Sequence, residues 1–158
     1  MSQISLNING TTHKLEVEDR ALLADVLRDK LKLTGTHVGC DTSQCGCCTL
    51  LMNGDTVKSC TVLAVQANGA QITTIEGLAS GANLHPIQVA FSNCHALQCG
   101  FCTPGMIMAT AGLLANNPQP TDAQIHEGLA GNLCRCTGYI NIVESVKQAA
   151  TAMQEKQA

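Results

Sequence analysis

Polar and apolar positions alternate at the start of the chain, where Ile4, Leu6 and Ile8 interleave with Ser5, Asn7 and Asn9. A period of two is that of a half-buried strand. Asn9-Gly10 predicts a tight hairpin turn, since both residues tolerate the positive φ that such a turn demands. Thr11 to Glu18 returns as the partner strand, with Leu15 and Val17 inward. Asp19 fits a helix N-cap, and Leu23, Val26, Leu27 and Leu31 share one face of a helix over residues 20–31. Residues 49–52 read as a strand, Asn53-Gly54 as a second hairpin turn and residues 56–63 as its partner. Asn68-Gly69 is a third turn, before a closing strand over residues 71–75.

Beyond residue 85 the period switches to 3.6. Residues 76–85 carry Gly77, Gly81 and small polar side chains, which read as a linker, so a domain boundary is expected near 77–83. Pro86 suits the first position of a helix reaching about Ala96. Thr103-Pro104 repeats the signal of an N-cap followed by proline, and that helix runs through Leu114 until Asn116 to Pro120 stops it. Thr121-Asp122-Ala123-Gln124 has capping-box form and opens a third helix, which Gly128 and Gly131 end. A last helix covers about Ile140 to Gln154, with Val143, Val146, Ala150 and Met153 on one face. The expected fold is α+β, with a small mixed sheet and covering helix over residues 1–77 and a four-helix bundle over 84–155.

Composition changes this picture in one respect. Phe91, Phe101 and Tyr139 are the whole aromatic set, while there are 10 cysteines in 158 residues. The large rings that usually dominate core burial are missing. Bound metal centres would cross-link the chain and supply stability instead. The net charge of −3 comes with no basic stripe, which argues against nucleic acid as a partner. The most apolar stretch, Gly105 to Ala115, is too short to span a bilayer. Met1 to Gly10 lacks the basic and apolar regions of a secretory signal, so a reducing, cytoplasmic location is expected. Clustered cysteines there mean metal more often than disulfides. No P-loop or strand-linked G-x-G-x-x-G occurs, so nucleotide binding by this chain is not expected.

Cys40, Cys45 and Cys48 follow C-x4-C-x2-C, and Cys60 comes after eleven intervening residues. This is the plant-type spacing of a [2Fe–2S] cluster. Four thiolates must converge on two irons, and three come from one tight loop. Gly39 and Gly46 can take positive φ and let the backbone approach the cluster. Backbone N–H groups can then point at sulfur, which helps set the reduction potential. Zinc is the rival, since it also takes four thiolates, but its ligands usually come as two short knuckles.

A second set lies in the helical half: Cys99-Gly100-Phe101-Cys102, then, after 31 residues, Cys134-Arg135-Cys136. Both pairs fall in joints between helices, and two joints at one end of a bundle can gather four sulfurs. Spacing alone fits zinc or iron–sulfur here, and the first cluster shifts the balance toward a second. Cys47 and Cys94 read as small apolar residues. His13, His37, His85, His95 and His126 read as structural or exposed, because eight cysteines already fill two sites.

Three motifs together carry a family resemblance: Gly39-Cys40-Asp41-Thr42-Ser43-Gln44-Cys45-Gly46-Cys47-Cys48-Thr49, Gln98-Cys99-Gly100-Phe101-Cys102-Thr103-Pro104-Gly105-Met106 and Asn132-Leu133-Cys134-Arg135-Cys136-Thr137-Gly138-Tyr139. The chain resembles the small iron–sulfur subunit of the molybdenum hydroxylases, the xanthine dehydrogenase family. Cys47 departs from the alanine usual there. The resemblance implies a plant-ferredoxin-like (β-grasp) domain and a helical domain, each with one [2Fe–2S] cluster. It implies a large partner subunit with a molybdenum–pterin cofactor, where substrate is oxidised with water oxygen, and a medium subunit carrying FAD. Electrons would pass from molybdenum to the Cys99/Cys102/Cys134/Cys136 cluster, then to the Cys40/Cys45/Cys48/Cys60 cluster, then to FAD. Gln98 and Cys136 would lie close to the pterin.

Since the chain stops soon after its second half, the FAD and molybdenum domains are expected on separate polypeptides, in a dimer of heterotrimers. Asp41-Thr42-Ser43 resembles three-subunit members such as carbon monoxide dehydrogenase and those acting on nicotine, quinoline or caffeine. The expected substrate is accordingly CO, an N-heteroaromatic or an aldehyde, with no catalytic residue on this chain. A freely diffusing ferredoxin-like carrier and a zinc-stabilised interaction module are the competing readings. A carrier has no need of a helical half with a second metal centre.

Overall fold

A computed structural model describes residues 1–155. β1 (Ser2–Ile8) and β2 (Thr11–Val17) pair antiparallel with Ile4 opposite Leu15. Asn9 and Gly10 turn the hairpin with φ of 51° and 83°. Ile4, Leu6 and Ile8 are buried, as the alternation requires. β3 (Thr49–Met52) and β4 (Asp55–Lys58) form the second hairpin around Asn53 and Gly54. β5 (Gln71–Thr73) lies between the hairpins, parallel to β1 and antiparallel to β3. The sheet order among the described residues is β2-β1-β5-β3-β4.

Three features of this half differ from expectation. The helix over 20–31 is shorter and altered: α1 (Leu23–Asp25) runs into a π-helical stretch, Val26–Lys30. Asp19 does not cap it. Its carboxylate accepts from Ser2 Oγ at 2.7 Å and pairs with the N-terminal ammonium. Residues 21–23 are drawn instead into pairing with the 62–64 segment, with Leu23 N donating to Val62 O and Ala64 N to Ala21 O. The wider π turn follows from burial, because Val26 and Leu27 are both in the core and Leu31 N reaches back five residues to Val26 O. The strand over 56–63 ends at Lys58, where a 3₁₀ turn, Ser59–Thr61, places Cys60 beside the sheet. The strand over 71–75 ends at Thr73, because the Asn9 side chain clamps Thr74 through both its N–H and its hydroxyl.

The helical half contains α2 (Pro86–Asn93), α3 (Thr103–Asn116), α4 (Asp122–Leu129) and α5 (Ile140–Glu155). Thr121 and Gln124 form the expected capping box. His85 caps α2 through its ring nitrogen, which accepts from Ile87 N. α2 ends at Asn93 rather than about Ala96, where His95 turns left-handed at φ 53°. Cys94 therefore caps that helix instead of lying within it. Thr103 is not the N-cap of α3; Cys102 holds that position, and Thr103 is the first helical residue.

α3 is buried on nearly all sides, which marks a helix enclosed by protein. One side packs with Phe91, Ile125, Ile142 and Val146 in the helical core. The other lies on the sheet, and a Cβ at Gly112 would collide with Thr56. A second core joins Leu6, Ile8, Leu23, Leu27, Leu50 and Ile72. Cys47, from the first cysteine loop, is buried in the helical core. Among the described residues no helix is long and apolar enough to cross a membrane.

Candidate metal centres

The first cysteine loop is wound by three left-handed residues, Asp41 (φ 56°), Ser43 (φ 59°) and Gly46 (φ 72°). Gly39 is not left-handed, contrary to expectation. Its missing Cβ matters through proximity, since that atom would stand 3.2 Å from Cys45 Sγ. The N–H groups of Thr42 and Cys45 donate to Cys40 Sγ at 3.4 and 3.3 Å. A side-chain hydrogen bond from Thr42, then these N–H groups, hold the Cys40 thiol down at about 6. Cys48 and Cys60 meet as a buried pair, and burial pushes Cys48 up to about 11. Lys58 Nζ donates to Ser43 O, and the Ser43 and Thr61 hydroxyls lie 2.6 Å apart, so the loop is tied to the turn carrying Cys60.

The second set forms two pairs. Cys99 and Cys136 are exposed with their sulfurs 3.6 Å apart. Cys102 and Cys134 are buried and in thiol contact, and burial pushes Cys102 up to about 12. Burial raises Cys134 as well, but the Thr137 hydroxyl and the Cys136 and Thr137 N–H groups outweigh it and leave that thiol below its ordinary value. Gln98 is exposed beside Cys99 at the same edge.

A [2Fe–2S] centre binds two thiolates at each iron. Among the described residues the sulfurs gather as pairs, Cys40 with Cys45, Cys48 with Cys60, Cys99 with Cys136 and Cys102 with Cys134. Thr103 Oγ1, next to Cys102, is buried without a hydrogen-bond partner among the described residues. Such an orphan is expected where a bound group completes the site. The residues therefore fit two di-iron clusters.

The two loops touch. Leu133 N donates to Cys45 O at 2.9 Å, and Asn132 Nδ2 donates to Gly46 O at 2.9 Å. His37 stacks on Phe101 at 4.7 Å between ring centroids, with its Nδ1 2.8 Å from Phe101 O. Cys47 sits between the centres, in thiol contact with Cys45 and within the field of Cys102, and burial lifts it to about 12. Cys94 lies apart from both sets and donates to Gln148 Oε1.

Sequence reasoning left Asn132, Thr137 and Tyr139 without roles. For Thr137 a signal existed, because a hydroxyl three residues after Cys134 lies at the offset where side chains bond locally. Asn132 acts across 86 residues of separation, and no local pattern marks it.

Two family models match the chain: a 2Fe-2S iron-sulfur cluster binding domain over residues 6–79 and a [2Fe-2S] binding domain over residues 74–147. Among curated relatives, the 6-hydroxypseudooxynicotine dehydrogenase complex subunit beta of Paenarthrobacter nicotinovorans is 51% identical, over 93% of this chain and 92% of its own length. The caffeine dehydrogenase subunit gamma of a Pseudomonas strain is 48% identical, over 93% of this chain and 90% of its own. A chain of quinoline 2-oxidoreductase from Pseudomonas putida 86 superposes with a TM-score of 0.94 at 45% identity, covering 99% of this chain and 98% of that one. Pairing of this kind, on this fold and with these relatives, defines the class: the chain belongs to the small iron–sulfur subunits of the molybdenum hydroxylase family, electron-transfer subunits of oxidoreductases. It carries two [2Fe–2S]-binding domains.

Proposed function

We propose that Cys40, Cys45, Cys48 and Cys60 hold one cluster and Cys99, Cys102, Cys134 and Cys136 the other. The chain divides near 77–83 into a ferredoxin-like part, 1–77, and a helical part, 84–155. When bound, the clusters supply reversible one-electron chemistry. The observation that carries this reading is the run of sulfurs from surface to surface. It starts at the exposed Cys99/Cys136 edge beside Gln98, passes the buried Cys102/Cys134 pair and Cys47, and reaches Cys45 and the partly exposed Cys40.

Electrons enter at the Gln98/Cys136 edge, where a large molybdenum–pterin subunit docks, and leave by the Cys40 rim toward FAD on a medium subunit. The assembly is a cytoplasmic dimer of heterotrimers. Relatives named for caffeine, quinoline and a nicotine derivative support an N-heteroaromatic substrate, bound on the large subunit. Replacement of Cys102 tests the order. In the assembled complex, Cys102→Ser should remove one [2Fe–2S] EPR signal and stop reduction of FAD by substrate. FAD reduction at the wild-type rate would refute the order.

A further inference from the structure

The Thr137 hydroxyl is placed and aimed. Its oxygen accepts from Tyr139 N at 3.2 Å, and it donates to Cys134 Sγ at 3.2 Å. With a lone pair occupied by the Tyr139 N–H, the hydroxyl proton is left to point at sulfur. Tyr139 closes the ring from the other side, because its phenolic oxygen accepts from Cys134 N at 2.8 Å. The turn that makes this possible is unusual. Gly138 and Tyr139 are both left-handed, at φ 66° and 69°. For a bulky side chain that conformation is a genuine outlier, and such strain persists only where the surroundings over-determine it. Here it brings both the N–H and the phenol of one residue onto the Cys134 corner.

A hydroxyl donated to a thiolate ligand stabilises the electron-rich form of the cluster more than the oxidised form, because the reduced cluster carries one more negative charge. We infer that Thr137, held by Tyr139, is a positioning residue that raises the reduction potential of the Cys99/Cys102/Cys134/Cys136 cluster through its hydrogen bond to Cys134. The inference rests on the proposed ligand set. Reduction adds one electron to the cluster, and no proton leaves Thr137. The other centre has a side-chain donor of its own, Thr42 at the Cys40 thiol, so loss of the Thr137 bond acts on the Cys99/Cys102/Cys134/Cys136 centre alone.

The test is an EPR-monitored redox titration of the assembled holoenzyme, each cluster read by its own signal. Thr137→Val should lower the reduced-to-oxidised ratio of this cluster about tenfold at the wild-type midpoint, a shift of about 59 mV to negative potential for a one-electron couple. The other cluster should keep its midpoint, and Thr137→Ser should restore the first. An unchanged midpoint in fully loaded Thr137→Val, or an equal shift in both clusters, would overturn the inference. If the valine variant does not load, Thr137→Ala is compared with Thr137→Ser, and equal midpoints would overturn it as well. A Cys134→Ser variant that keeps its iron and an unaltered EPR signal would instead remove the ligand assignment beneath it.

Discussion

The side-chain amide of Asn132 donates to the carbonyl oxygen of Gly46 at 2.9 Å, and both residues are buried. The same nitrogen lies 3.2 Å from Thr49 Oγ1, whose hydroxyl also donates to Gly46 O. One amide thus fastens the loop before Cys134 to the loop holding Cys45 and Cys48. Asn132→Ala removes a donor to a buried carbonyl and leaves a small void. The expected loss is about 1–3 kcal/mol, read as a fall in thermal midpoint of roughly 2–4 °C per kcal/mol for a chain of this size.

Gly105 and Gly112 both face the sheet side of α3, but substitution should not affect them equally. A Cβ on Gly105 would run into the Gly46 carbonyl and stand 3.0 Å from Cys47 Cα. Backbone cannot turn aside. A Cβ on Gly112 meets a methyl of Thr56, which can rotate. Gly105→Ala should therefore cost roughly 3 kcal/mol or more, and Gly112→Ala about 1 kcal/mol, within the range for overpacking. Denaturant midpoints of the two variants measure the difference. Equal losses would mean that α3 can shift as a body.

Cys47→Ala should leave both clusters in place, because Cys48 preserves the ligand spacing and Cys47 serves as packing between the centres. The cost is the small transfer and cavity loss of one sulfur, on the order of 1 kcal/mol. Cys94→Ala should likewise spare both clusters, since its thiol bonds Gln148 away from either set. Iron content and the two EPR signals check both variants, and loss of either signal would reassign a ligand.

Stripping iron with a chelator under reducing conditions should destabilise the chain strongly. The clusters bind the folded form, and their removal leaves the eight proposed ligand thiols, several of them buried, without the metal that joins them. A loss of about 4 kcal/mol or more corresponds to a tight ligand, or roughly 8 °C or more in thermal midpoint. Scanning calorimetry of holo and stripped protein gives the value.

Local patterns made much of this fold readable. The Ile4/Leu6/Ile8 alternation with Asn9-Gly10, and the Thr121–Gln124 capping box, are short-range signals that the chain obeys. Where tertiary pairing competes, the local signal loses. Asp19 has the chemistry of a cap, yet the Leu22–Leu63 bridge holds the preceding backbone extended and delays the helix. Both cysteine sets were visible as spacing, but which sulfurs pair was not. Pairing depends on the left-handed turns at Asp41, Ser43 and Tyr139, residues whose sequence gives no glycine-like warning. Asn132 and Gly105 were hidden for another reason, since their partners lie in the other half of the chain.

The open Cys99/Cys136 edge has a further consequence for how such a subunit is made. On the proposed docking at this edge, the corner left bare to receive the large subunit is also the corner that dioxygen and water reach first. Subunit produced in excess of that neighbour will lose iron there before it loses iron from the Cys48/Cys60 side. On that reading, balanced synthesis of the polypeptides, with docking soon after iron is installed, is a chemical requirement as much as a stoichiometric one.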